Sequence, residues 1–168
     1  LHGKIKIKLK QPTPQPQYAA TRLGGIGGNY TITISVSGMG EAEGFTITHK
    51  GKRISIAGND GNGAIYGANR LAEWQQTYGT LDGLNTLSET PEMKLRGACV
   101  GLQKTEYLPG HRVYEYPYTP ENFPWFYDKA LWLKYLDMLA ENNMNTVYLW
   151  NGHPFASLVK LDDYPFAP

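Results

Sequence analysis

Two different periodicities run along this chain, and they divide it near residue 90. Residues 4–10 alternate Lys4, Lys6, Lys8 and Lys10 with Ile5, Ile7 and Leu9, which predicts a strand with one solvated face. The following "QPTPQPQ" is too rich in proline for a helix or a central strand. Alternation resumes at "NYTITISVSG", where Tyr30, Ile32, Ile34 and Val36 interleave with Thr31, Thr33 and Ser35. "GFTITHKGKRISIAG" repeats it, with Phe45 and Ile47 before a turn at Lys50-Gly51, and Ile54 and Ile56 after it. Alternation around a tight turn predicts antiparallel strands with one covered face. From Ala64 to Tyr78 the period lengthens, aligning Ile65, Ala68, Leu71, Ala72 and Gln75 on one side of a helix. A helix covering the apolar face of such a sheet makes residues 1–90 a two-layer α+β domain with a small antiparallel or mixed sheet.

Beyond Pro91 the pattern changes. "KLRGACVGL" is a short strand without alternation, and residues 103–124 form a long loop rich in aromatics and proline. "WFYDKALWLKYLDMLAENNMN" has helical spacing, with Leu131, Tyr135, Met138 and Leu139 near one face. "TVYLW" then follows as a continuous apolar strand. Strand, helix and strand with fully apolar strands predict a parallel βαβ unit, whose strands need neighbours on both sides. Residues 91–168 are therefore expected to be the truncated start of a larger domain.

Composition narrows the partners. The 168 residues carry a formal net charge of +1, too small a field to recruit nucleic acid or an anionic membrane. No run approaches the roughly 18 apolar residues of a membrane helix. Cys99 is the single cysteine, so no internal disulfide can form, and its apolar strand context predicts a buried, inert thiol. His2 and His111 lack ligand spacing with another His or Cys, so no metal and no cofactor are expected.

"GNDGNGAIYGANRLAEW", residues 58–74, invites a phosphate-binding interpretation. It lacks the Lys-Ser/Thr pair of a P-loop and the GxGxxG of a dinucleotide site. It also lacks the acid ladder of a calcium loop. What remains is a tight turn ahead of a helix whose Gly63 and Gly67 let the backbone approach the sheet.

These same residues resemble a known arrangement. "ISIAGNDGNGAIYGANRLAEW" and "EGFTIT" are similar to the last strand, turn and helix, and an earlier strand, of the α+β domain preceding the barrel in glycoside hydrolase family 20. The α-glucuronidases carry a similar leading domain. "PEMKLRGACVGLQ" resembles the segment opening the first strand of that family's (β/α)8 barrel, and residues 125–153 resemble its first helix and second strand. Val100, Gly101, Leu102 and Gln103 replace an aspartate-bearing segment, and Trp150-Asn151-Gly152-His153 replaces an acid-containing one. The resemblance thus points to a sister family with the same two-domain plan.

That resemblance implies the N-terminal part of a glycoside hydrolase acting on polysaccharide or glycoconjugate, secreted or periplasmic. Such enzymes use two carboxyl groups across the scissile bond. Glu106, Glu115, Glu121, Asp128, Asp162 and Asp163 have no motif beyond their loop addresses, so no catalytic residue is assigned and this chain alone is expected to be inactive. Ligands of such barrels sit at the C-terminal ends of the strands, which nominates Trp150, Asn151 and His153 as substrate contacts. Arg96 resembles the family's sugar-holding arginine, although an arginine at a strand start also pairs readily with a surface acid. The loop aromatics Tyr107, Tyr114, Tyr116, Tyr118, Phe123, Trp125 and Phe126 suit sugar faces or simple packing. The rival expectation is a non-catalytic module binding a glycan or a protein through that loop.

Overall fold

The computed structural model describes residues 4–101 and 124–150, in two units: Leu1–Lys94 with Ala140–Asn143, and Leu95–Leu139 with Met144–Pro168. The first unit holds strands β1 (Lys6–Leu9), β2 (Thr31–Val36), β3 (Phe45–Lys50), β4 (Arg53–Gly58) and β5 (Leu87–Glu89), and helices α1 (Pro14–Arg22) and α2 (Gly61–Tyr78). The strands form one mixed sheet in the order β1-β2-β4-β3-β5.

Alternation is what builds its core. Leu9, Ile34, Ile56, Ile47 and Leu87 lie side by side, forming one apolar row across all five strands. Ile7, Ile32 and Ile54 form the next. Ala19 and Leu23 from the α1 region and Ala64, Ala68 and Leu71 from α2 pack into the same buried cluster. Each isoleucine removed from water there contributes roughly 1.5–3 kcal/mol. The opposite face carries Lys6, Lys8, Thr31, Thr33, Thr48 and Ser55, all exposed or half-buried.

One expectation fails in this unit. The proline-rich stretch does contribute to a helix: α1 starts at Pro14, after the extended Thr13 cap, and places Pro16 in its first turn. Prolines are tolerated there because first-turn N–H groups have no intrahelical partner. The sheet is mixed, one of the two arrangements expected, rather than an antiparallel meander. β3 and β4 pair antiparallel, but β2 runs parallel to both β1 and β4. Alternation reports that one face is covered, whereas direction depends on the connections. The unforeseen α1 is the crossover that lets β1 and β2 run parallel.

The second unit contains β6 (Gly97–Gly101), helix α3 (Lys129–Glu141, whose last two residues count with the first unit) and β7 (Thr146–Trp150). β6 and β7 pair in parallel, as the βαβ pattern predicts. A 3-10 turn, Pro124–Tyr127, precedes α3, so the helix begins later than its aromatic lead-in implied. Asp128 sets that start: its Oδ1 accepts from the Ala130 and Leu131 amides at 2.9 and 3.1 Å. Asn143, with φ 57°, supplies the left-handed residue that ends it. Val100, Trp125 and Phe126 are partly buried against one hydrophobic cluster. Cys99 is exposed, not buried, because it faces away from Val100 on the strand and no described element covers that side.

Candidate functional site

The glycine-rich turn proves to be a closed structural joint. Asp60 caps α2, its Oδ1 accepting from the Gly63 amide at 2.8 Å. Its Oδ2 accepts from the Glu43 amide at 2.7 Å, so one carboxylate ties two segments together. Glu43 returns the tie, since its Oε1 accepts from Asn62 Nδ2 and Tyr66 Oη at 3.1 and 3.2 Å. A phosphate needs unfilled donors and a positive field at a helix N-terminus. Here the protein's own carboxylate occupies the Gly63 donor and would repel an anion. A Cβ on Gly63 would run into the Gly44 carbonyl oxygen, and one on Gly67 would come within 2.6 Å of Ile56 Cγ2. Close helix–sheet approach explains both glycines.

A polar node lies on the helical side of the first unit. Asn69 is buried on α2, and its Oδ1 accepts from Arg22 Nε at 3.1 Å. Its Nδ2 donates to the Ala140 carbonyl and to Asn143 Oδ1, each at 2.8 Å. Arg22 also pairs with Glu141. Nearby, Arg70 bridges Glu73 and Glu89 at 2.9 and 3.0 Å. Burial lowers the pKa of that guanidinium, but the two carboxylates outweigh it and the net shift is upward. Every polar atom of Asn69 is thereby matched, which makes the node structural.

The resemblance placed substrate contacts at the C-terminal ends of the barrel strands. β6 and β7 pair Gly97 with Thr146 and Gly101 with Trp150, so their C-terminal ends lie together at Gly101 and Trp150. Asn151 and His153 follow directly but lie outside the described residues, as do Glu106, Glu115, Glu121, Asp162, Asp163 and the loop tyrosines. Arg96 lies at the other end. Its amide donates to Asn145 Oδ1 at 3.0 Å, and its carbonyl accepts from the Asn145 and Thr146 amides at 2.8 and 3.0 Å. Arg96 and Trp150 are therefore not brought together. The aromatics at 125–135 pack on each other: Phe126 meets Trp132 edge-on at 6.0 Å, and Trp132 Nε1 donates to the Phe126 carbonyl at 2.8 Å.

Elsewhere in the first unit, burial and then the hydrogen bond from its hydroxyl to Asp82 Oδ1 raise the Tyr30 pKa above its ordinary value. Among the described residues no cluster of His, Cys, Asp and Glu could hold a metal ion. No described helix is long and apolar enough to cross a membrane.

The described fold is similar to parts of solved glycoside hydrolases. A GH138 enzyme targeting pectin rhamnogalacturonan II matches with 52% identity over 97% of this chain, at a TM-score of 0.80. The match covers 20% of that enzyme, so this chain spans about one-fifth of its length. A family 20 β-N-acetylglucosaminidase matches in fold, with 14% identity, 89% of this chain and 28% of its own covered, and a TM-score of 0.58. A GH115 4-O-methyl-α-glucuronidase with specificity for decorated arabinogalactans does likewise, with 12% identity, 89% and 25% covered, and a TM-score of 0.59. No family model and no curated protein matches. The family 20-like and α-glucuronidase-like resemblance of the sequence is therefore seen in three dimensions, with higher sequence identity to a third family.

Proposed function

We propose that this chain is the N-terminal part of a glycoside hydrolase acting on a polysaccharide or glycoconjugate. The observation that carries this is the 52% identity to a GH138 enzyme across nearly the whole chain. In this assignment residues 1–90 are the leading α+β domain, and residues 91–168 open a (β/α)8 barrel with its first strand, helix and second strand. The parallel β6–β7 pair joined through α3 supports it. So does the exposure of Leu131, Leu133, Leu136 and Met138 on α3, which gives that helix apolar surface for further barrel elements to cover.

The substrate-facing positions are Trp150, Asn151 and His153, following from the C-terminal end of β7. Arg96, at the N-terminal end of β6, takes the strand-joining part through its backbone bonds to Asn145 and Thr146. The acid and base lie on barrel strands beyond this chain, so the chain alone is inactive. A polymeric substrate places the enzyme outside the cytoplasmic membrane.

The test is release of reducing sugar from pectin rhamnogalacturonan II by the whole protein and, separately, by the 168-residue chain. Release by the whole protein only is expected. Release by neither, or by the short chain, would overturn the proposal.

A further inference from the structure

The open face of the first unit's sheet has a composition that the core does not require. Across it, Lys6, Thr31, Arg53 and Lys50 form one cross-strand row. Lys8, Thr33, Ser55 and Thr48 form the next. Four cations and four hydroxyls thus share two adjacent rows with no carboxylate among them. At strand spacings near 4.8 Å each row runs about 14 Å. Lys8, Lys50, Arg53 and the turn residue Lys52 line an open depression of about 700 Å³ with the intervening hydroxyls. None of these four cations forms an ion pair with another described residue.

Lys50 and Arg53 sit directly opposite each other on β3 and β4. Like charges facing across an antiparallel pair destabilise a sheet. The fold therefore tolerates repulsion where a neutral residue would serve it better. An anion laid across the two strands would relieve that repulsion.

We propose that this face docks a carboxylate-bearing polysaccharide. The identification of the ligand as carbohydrate rests on the proposed hydrolase function. The charge and the chemistry of the face supply the rest. Ammonium and guanidinium groups meet uronate carboxylates, while Thr33, Ser55 and Thr48 offer donors and acceptors to ring hydroxyls. The lining residues spread over four strands, a span that suits a chain better than a small anion. It has no aromatic platform, so it does not suit stacked nucleic-acid bases.

Affinity electrophoresis of the 168-residue chain through gels containing polygalacturonate tests this. Fully methyl-esterified polygalacturonate and double-stranded DNA serve as comparisons. Polygalacturonate should retard the chain, less so as salt is added, and the ester should not. Lys50→Ser with Arg53→Ser should weaken retardation about ten-fold, since two exposed charge contacts are removed. The melting temperature of that variant should be unchanged or higher. Should it fold poorly, Lys8→Ser with Lys52→Ser provides the same comparison from exposed positions. Absent retardation, equal retardation by the ester, stronger retardation by DNA, or undiminished binding by a folded variant would overturn the proposal. Hydrolysis by the whole protein without retardation of this chain would remove the docking face and leave the hydrolase assignment. Retardation without hydrolysis would do the reverse.

Discussion

α2 and α3 are both apolar on one side, but only one of them has found its sheet. α2 buries Ala64, Ile65, Ala68 and Leu71 in a cluster with residues from α1 and five strands. α3 buries Leu139 alone, and Leu133 remains 53% exposed. The two helices do not differ in pattern so much as in what surrounds them. An amphipathic helix is stabilised chiefly by the surface it packs on. In the first unit the glycines at 63 and 67 bring that surface to the helix backbone. The described part of the second unit offers a two-stranded pair, which covers far less.

Substitutions should separate the units by size of effect. Ile56→Ala, at the centre of the five-strand apolar row, should cost about 2–5 kcal/mol in urea denaturation of the chain. A loss below about 1 kcal/mol would mean the row is not a packed core. Gly63→Ala should follow at about 1–3 kcal/mol, because its methyl meets the Gly44 carbonyl and must push α2 outward. Asp60→Ala removes the cap on the same helix and should cost about 0.5–2 kcal/mol in thermal melts.

Tyr30→Phe gives a smaller, pH-dependent effect. The folded pKa is raised, so the wild-type side chain stabilises the fold below the ordinary tyrosine pKa, and that contribution fades as pH rises through the folded value. Melting curves taken upward from neutral pH should show the wild type losing more stability than the variant. Parallel losses would dismiss Tyr30 as the cause. Leu133→Gln in α3 should change stability by less than about 0.5 kcal/mol, although the same change at Leu71 would be severe. A large loss at Leu133 would erase the contrast between the helices.

Period-2 alternation revealed β1 to β4, and helical spacing revealed α2 and α3, because burial on one side leaves a periodic trace. α1 left none: Pro12, Pro14 and Pro16 read as breakers, although the latter two occupy the first turn, where their missing N–H groups cost nothing. The parallel direction of β2 was hidden for the same reason, since it depends on that helix. β5 is three residues long, too short for a period to show. At the glycine turn the close approach was visible in residue size. The second bond of Asp60, to the Glu43 amide, was not, because it joins positions distant in sequence. Arg96 was recognised at the start of β6, yet nothing local could show that its backbone joins it to Asn145.

The sheet described above has two borders, and both discourage company. β5 spans only Leu87–Glu89, and its exposed residues, Ser88 and Glu89, are polar or charged. β1 carries exposed lysines at 6 and 8, between further lysines at 4 and 10. Short borders and lysine-studded borders are the devices by which sheets avoid recruiting strands from other molecules. A concentrated preparation of this chain should accordingly resist fibril growth from the first unit. Where clumping occurs, it should begin from the uncovered leucines of α3.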